Sequence, residues 1–449
     1  MSATSLRRRL VVLTLLAAVA TLAACAGTTN FSALIASARY GQERSELAAD
    51  LSSAQARGYT ADDLRPITDG LRSVEDQGAL TVLAGGGQLE ERRTARLAQL
   101  DVQLKAREAE LVDEARTKAA VQLGGIRASF EQARVLGAAD HDLAPLHERL
   151  DALAQAEAGA RELLELRADL QAGGELANEL DRLNASQQEE NQAVAQSAQA
   201  LAARGQSDLG AVRKEGTDAL ATARNDASVA AYLNKPAAFK GYSTLLGLVQ
   251  KLERYGAQIG SADPGQATRG AAGTLVLAGR IHAALLNGLP FRAILISYAD
   301  QHLWAYENGK VVEETPVTTG RPQLPTDLGP MKVLGKDSPW VMHSPWPQGS
   351  PYWYPDTKVK MVVWFSRTGE GLHDADWQSC CWGPGSQYSA KASHGCVHVP
   401  DAAESFIYRW SVPGTPVVVF QGDGSPVADQ VARITTDDDG NPRTGPKGI

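Results

Sequence analysis

The sequence predicts an α+β multidomain protein in which long N-terminal helices precede a mostly β domain. Three observations support this. At 449 residues the chain is too long for a single hydrophobic core. All eight tryptophans fall between Trp304 and Trp410. Residues 30–289 are instead rich in Ala, Leu, Glu, Gln and Arg, with only four prolines. The chain therefore changes character near Pro290, and its net charge of -8 gives no reason to expect nucleic-acid binding.

Residues 1–25 are typical of an export signal. Three arginines precede an apolar run that begins at Leu10, and small residues lead to Cys25. The run is short for a bilayer span. Its end, Leu-Ala-Ala-Cys, resembles the lipobox of bacterial lipoproteins, which implies that Cys25 becomes the lipidated first residue and anchors the protein to the membrane. An ordinary signal or a short anchor helix is the alternative. Both readings place the rest of the chain in the cell envelope, outside the cytoplasm.

Residues 26–289 have the pattern of an Ala-rich helical spacer. Leu97, Leu100, Leu104 and Leu111 recur at heptad-like spacing, which predicts long, coiled-coil-like helices. Alanine dominates much of the apolar stripe and buries little area per residue, so hairpins or a thin bundle are favoured over a thick core. The region has no recognisable nucleophile, metal cluster or phosphate loop. We expect it to act in spacing, self-association or contacts with envelope proteins.

Two segments of this spacer match each other. They are "GYTADDLRPITDGL" from Gly58 and "GAADHDLAPLHERL" from Gly137. Each has a glycine, then acidic residues, then a proline, at Pro66 and Pro145. The pattern predicts a duplicated helix start, in which glycine ends one helix, an acidic residue caps the next and proline lies in its first turn. The spacer is thus predicted to contain duplicated helical hairpins.

From Phe291 onward the pattern is that of strands. Asn308-Gly309 separates two apolar-rich runs and predicts a tight hairpin. Later runs of the same type are "MKVLG", "KMVVWF" and "TPVVVF", and "PDAAESFIYRW" predicts one helix that begins at Pro400. We place this domain at residues 290–421. Residues 422–449 are rich in turn-formers and charge without apolar periodicity, and are predicted to be disordered.

The stretch "SHGCVHV" contains the residues with the clearest potential for chemistry. Cys396 follows a glycine and lies between two histidines, and in a strand all three side chains would share one face. A thiol attacks only as thiolate and needs a nearby base, and "GLHDADW" supplies another imidazole, His373. Zinc binding and an inert buried thiol stay open. Zinc is disfavoured because Cys380 and Cys381 are adjacent rather than in a C-x-x-C pair.

Together, "SHGCVHV" and the upstream histidine in "GLHDADW" resemble the signature of the YkuD-type L,D-transpeptidases. "AILISYADQHLWAYENGKVVEETPVTTG", "TDLGPMKVLG" and "VPGTPVVVF" resemble the opening hairpin, the following turn and strand, and the closing strand of that family. The resemblance covers about residues 290–421. It implies a cysteine acyltransferase that cross-links peptidoglycan stem peptides without a cofactor or metal. An L,D-carboxypeptidase, with water as acceptor, and a non-catalytic wall-binding scaffold lipoprotein are the alternatives.

The resemblance also implies roles for individual residues. Cys396 is the nucleophile, and His373 is the base that takes its proton. Ser393 and Gly395 shape the loop, backbone N–H groups from His394 to Cys396 hold the oxyanion, and the carbonyl of His394 or a neighbour orients His373. The sequence departs from the family at His398, where Asn or Arg is common, and in the longer interval between His373 and Ser393.

The lengthened interval contains Cys380 and Cys381. Both could be thiols, they could pair with each other, or one could pair with Cys396 and silence it. Adjacent thiols have a very high effective concentration for each other in an oxidising compartment. We therefore predict a Cys380–Cys381 disulfide and a Cys396 thiol.

Overall fold

The computed structural model describes residues 29–79, 86–237 and 239–426. The predicted signal with Cys25 and most of the predicted tail lie outside these residues. The chain divides into two compact units, Met1–Glu131 with Leu146–Asp181, and Gln132–Pro145 with Arg182–Ile449. Within the described ranges, no helix combines the length and apolar character needed to cross a membrane.

The N-terminal part of the described chain is helical, as predicted. Its helices are α1 (Thr29–Ala56), α2 (Ala61–Ala79), α3 (Gly86–Leu136), α4 (Asp140–Gly159), α5 (Leu163–Gly205), α6 (Leu209–Ala237), α7 (Tyr242–Ile259) and α8 (Pro264–Gly288).

The core of the first unit is built from the leucines that the heptad-like spacing singled out. Leu97, Leu100, Leu104 and Leu111 are all buried on α3. They pack in one cluster with apolar residues of α1, α2 and the start of α5. The helical periodicity of the sequence thus identified the buried face of α3.

The two matching segments begin helices, although not with the predicted capping. Gly58 and Gly137 have φ of 94° and 88°, which suits glycine at the end of a helix. In the first segment the cap is Thr60, whose Oγ1 accepts the N–H of Asp63 at 3.2 Å while Asp63 accepts the N–H of Thr60 at 2.7 Å. Pro66 and Pro145 lie inside α2 and α4 rather than in the first turn, so that expectation was wrong.

The second unit contains the strands. They are β1 (Arg292–Ser297), β2 (His302–Glu307), β3 (Lys310–Pro316), β4 (Gly329–Lys332), β5 (Gly335–Asp337), β6 (Trp340–Met342), β7 (Thr357–Val359), β8 (Val362–Trp364), β9 (Gly371–Asp374), β10 (Val397–Val399) and β11 (Pro416–Phe420), with helix α9 (Asp401–Trp410) between the last two. The sheets have the orders β3-β2-β1-β11-β4, β10-β9-β8-β5 and β6-β7. Asn308 and Gly309 have φ of 50° and 70° and form the predicted tight turn.

Alternate residues of the five-stranded sheet enter two different cores. Ile294 and Ile296 pack with the four-stranded sheet and α9. Leu295 and Val418 point the other way and pack with α6, α7 and α8. The sheet is therefore buried on both faces, and the last helices before it contribute to its packing. The predicted division of the chain at residue 290 stays a prediction.

A buried ionic cluster lies among the helices of this unit. The Glu190 carboxylate is 1% exposed and accepts from Lys251 Nζ at 2.7 Å and from Arg280 at 3.0 Å. Gln187 also contacts Glu190 and Lys251, at 3.0 and 3.3 Å. One buried anion thus connects α5, α7 and α8.

Candidate active site

The thiol of Cys396 lies immediately before β10, after a tight turn. In that turn Gly395 has φ of 137°, and a Cβ there would come within 2.9 Å of Glu370 Oε1, so the turn requires glycine. The Cys396 side chain is half-buried and forms no disulfide. Its Sγ lies 3.9 Å from the carbonyl oxygen of Gly369. The turn leaves part of the sulfur open to solvent.

Parallel pairing of β9 with β10 brings a histidine close to this thiol. The register sets His373 opposite His398. Cys396 directly precedes β10 and lies two residues before His398. Two residues of strand span roughly 7 Å. His373 therefore lies on the strand paired with the one that follows the thiol.

The His373 ring is oriented by the next residue. Its Nδ1 lies 2.7 Å from the carbonyl oxygen of Asp374. A carbonyl only accepts, so Nδ1 carries the proton and Nε2 presents its lone pair. Burial lowers the pKa of His373 and favours the neutral ring. We expected an acceptor at His394 or beside it. That expectation was wrong, because the acceptor directly follows His373.

Two hydroxyl groups hold the turn before the thiol. Ser393 Oγ accepts the N–H of Gly395 at 3.0 Å and donates to the carbonyl of Cys396. Thr326 Oγ1 donates to the carbonyl of Gly395 at 2.6 Å and accepts the N–H of Gly320 at 2.9 Å. The predicted supporting role of Ser393 thus has a geometric basis. The Gly395 N–H is engaged by Ser393, so it is not a direct oxyanion donor in this conformation.

Comparison with known proteins agrees with this geometry. The family model that describes the L,D-transpeptidase catalytic domain, YkuD, matches residues 292–419. Residues 292–419 form an L,D-transpeptidase catalytic domain. No curated protein matches the chain with a significant score.

Solved structures similar to the chain are also L,D-transpeptidases. One is a cysteine-to-serine mutant from Enterococcus faecium, at 30% identity, covering 29% of this chain and 50% of that one, with a TM-score of 0.27. Another is from Mycobacterium smegmatis, at 26% identity, covering 29% and 58%, with a TM-score of 0.26. A third is the Enterococcus faecium catalytic domain acylated by ertapenem, at 32% identity, covering 29% and 98%, with a TM-score of 0.26. The chain spans about half the length of the first of these.

Arg321 fixes the segment that enters the turn before Cys396 in the L,D-transpeptidase domain. Its guanidinium donates to the carbonyl of Ala392 at 2.7 Å and to that of Ser393 at 3.3 Å. His394 packs against the rings of Trp346 and Tyr354, with centroids 5.6 and 5.0 Å away. Burial, with the charge of Arg321, lowers the pKa of His394 to about 4. His394 is thus a neutral packing group at pH 7.

His398 lies in β10 beside His373, and not in the turn before Cys396. The two ring centroids are 4.9 Å apart. His398 Nδ1 is 3.2 Å from Gln378 Oε1, and Gln378 Nε2 donates to Thr318 Oγ1 at 2.7 Å. Burial, reinforced by His373, holds the pKa of His398 well below its usual range. The residue at this departure from the family pattern is therefore a neutral, buried neighbour of the candidate base.

Cys380 and Cys381 form a disulfide with each other. This confirms the predicted pairing of the adjacent cysteines. Cys381 takes φ of 67°, in the left-handed region that non-glycine residues rarely adopt. Cys396 is left as a thiol, which the predicted nucleophilic role requires.

Three carboxylates at the ends of β9 and β10 lie close together. Oxygens of Asp374, Asp376 and Asp401 are within 4.8 Å of one another. Lys360 Nζ lies 2.9 Å from Asp376 and 3.1 Å from Asp401. The ammonium group neutralises part of this charge.

Some supporting residues escaped sequence reasoning. Arg321 and Gln378 reach the site from loops with no distinctive motif. Contacts of this kind depend on distant segments meeting, which local patterns do not encode.

Proposed function

We propose that the domain predicted at residues 290–421 is an L,D-transpeptidase that acts on peptidoglycan stem peptides through a thioester on Cys396. The proposal is supported by a half-buried thiol that directly precedes β10, and by a neutral imidazole on the paired strand β9 whose Nε2 lone pair is available. Acyl transfer needs this pair of groups.

In the first half-reaction, His373 Nε2 takes the proton of the Cys396 thiol. The thiolate attacks the carbonyl carbon between the third stem residue and D-Ala, and the C=O electron pair moves to oxygen. Backbone N–H groups of the catalytic turn other than that of Gly395 hold this oxyanion. When it collapses, the C–N bond breaks, His373 gives the proton to the leaving amine, and D-Ala departs from the thioester.

In the second half-reaction, the side-chain amine of another stem attacks the thioester. Nitrogen forms the new amide bond, one amine proton passes to His373, and the Cys396 sulfur leaves and is reprotonated. Water in place of the amine gives a carboxylic acid, which is the carboxypeptidase outcome. The protein supplies the same groups to both reactions, so the acceptor alone separates them.

The location of the enzyme is part of the proposal. We propose lipidation at Cys25 and attachment outside the cytoplasm, with the helices serving as a spacer or as a surface for self-association or envelope-protein contacts. The Cys380–Cys381 disulfide supports an oxidising compartment. The export signal and the peptidoglycan substrate point to the same side of the membrane.

The deciding experiment incubates the protein with defined disaccharide tetrapeptides and analyses the products by mass spectrometry. Cross-linked dimers that have lost D-Ala support transpeptidation, whereas monomeric tripeptides alone identify a carboxypeptidase. Cys396→Ala is the control and should form neither. If the wild-type protein forms no product and no carbapenem adduct on Cys396, a scaffold role replaces the enzymatic one.

A further inference from the structure

The hydrogen bond that orients His373 ends on a carbonyl at the end of a strand. The ladder between β8 and β9 runs from Trp364 with Gly371 to Val362 with His373, and does not include Asp374. On the β10 side, Asp374 is the last paired residue, opposite Val399. Strand ends fray unless other contacts fix them. The position of this carbonyl therefore depends on something beyond the β8 ladder.

The Asp374 side chain supplies the missing contact. Its Oδ1 accepts the backbone N–H of Lys360 at 2.8 Å and that of Met361 at 2.9 Å. These two residues directly precede β8, so the carboxylate replaces the ladder where regular pairing stops. Asp374 is 1% exposed. Hydrogen bonds from backbone N–H groups to a buried carboxylate are stronger than neutral ones.

Glu404 provides a matched comparison, because it is a second buried carboxyl group in the same domain. It is fully buried, and neither oxygen has a hydrogen-bond partner among the described residues. Burial, followed by the charges of Asp374 and Asp401, holds the pKa of Glu404 well above its usual range. Glu404 therefore makes none of the contacts that fix the Asp374 backbone.

We infer that the Asp374 carboxylate is a positioning group for catalysis: by binding the Lys360 and Met361 N–H groups it fixes the carbonyl that holds His373 in its Nδ1–H tautomer. The inference rests on the proposed function for its catalytic consequence. The property that matters is an oxygen acceptor at the Oδ1 position. Without it the turn before β8 and the end of β9 separate, and His373 Nε2 is no longer held toward Cys396.

The test compares Asp374→Ala, Asp374→Asn and Glu404→Gln in the full chain. Asp374→Ala should reduce the rate of Cys396 acylation by a carbapenem, per reactive thiol, by roughly 10- to 100-fold, because small displacements of a catalytic group cost this much. Asp374→Asn keeps the oxygen acceptor and should stay within about threefold of wild type, while Glu404→Gln should leave the rate unchanged. If the alanine variant does not fold, Asp374→Glu, which displaces the carboxylate by one methylene, replaces it.

Nitrogen-15 NMR of the His373 ring gives a second readout that does not depend on activity. The wild-type and Asp374→Asn proteins should show the Nδ1–H tautomer, and Asp374→Ala a mixture of tautomers. An unchanged tautomer and acylation rate in a folded Asp374→Ala or Asp374→Glu protein would overturn the inference. If the wild-type protein is not acylated, the proposed function is wrong. The tautomer of His373 measured by NMR would still show whether Asp374 positions that ring.

Discussion

Acidification should destabilise the L,D-transpeptidase domain through His394, and replacing that histidine should remove part of the effect. Burial lowers the pKa of His394 from 6.5 to about 4 in the folded protein. Between these values the unfolded chain binds more protons than the folded one, so stability falls as the pH falls through 6.5. Linkage gives about 2 kcal/mol at pH 5. The ring is only half-buried, and solvent screening reduces this to about 1 kcal/mol.

Tryptophan fluorescence can isolate this effect in the full chain, because all eight tryptophans lie between Trp304 and Trp410. Urea unfolding at pH 7 and pH 5 should show a loss of stability in the wild-type protein that is smaller in His394→Asn by about 1 kcal/mol. The comparison between the two proteins is essential because Glu404 opposes the trend. The pKa of Glu404 is higher in the folded protein than in the unfolded chain. As the pH falls, the folded protein therefore takes up this proton first, and the fold is stabilised. Identical pH dependence in both proteins would refute the reasoning.

Three further predictions concern His373, the buried Glu190 carboxylate and the cysteines. His373→Ala should slow acylation of the thiol by roughly 10²-fold, the usual cost of losing a positioned base, with melting temperature as the check on folding; a mild effect would show that another imidazole is the base. Glu190→Ala should destabilise the helical part of the second unit by about 3–5 kcal/mol, because it leaves the buried ammonium group of Lys251 without its anion. Circular dichroism during urea unfolding measures this, and a change below about 1 kcal/mol would contradict it. Alkylation without reduction should label Cys396 only, and peptide mapping that finds label on Cys380 or Cys381 as well would exclude the disulfide.

The chemistry of the site was largely accessible from the sequence because it is encoded locally. The candidate nucleophile Cys396 and the glycine that its turn requires are adjacent in the chain. The choice of His373 as base came from resemblance to a family. In the structure, parallel pairing with β10 sets His373 opposite His398, and its role as base stays a prediction.

The sequence by itself determined the two kinds of periodicity, the buried leucines of α3, the Asn308-Gly309 turn and the candidate nucleophile. Each depends on residues within one or two turns or one hairpin, where spacing decides which side chains share a face. Only the tertiary structure decided that the Asp374 carboxylate binds the N–H groups of Lys360 and Met361. It also decided that Arg321 binds the carbonyl of Ala392, across 71 positions of sequence. Each of these contacts joins a side chain to backbone groups of a distant segment, and any residue offers the same carbonyl and N–H groups. The sequence therefore carries no local mark of which of them will meet.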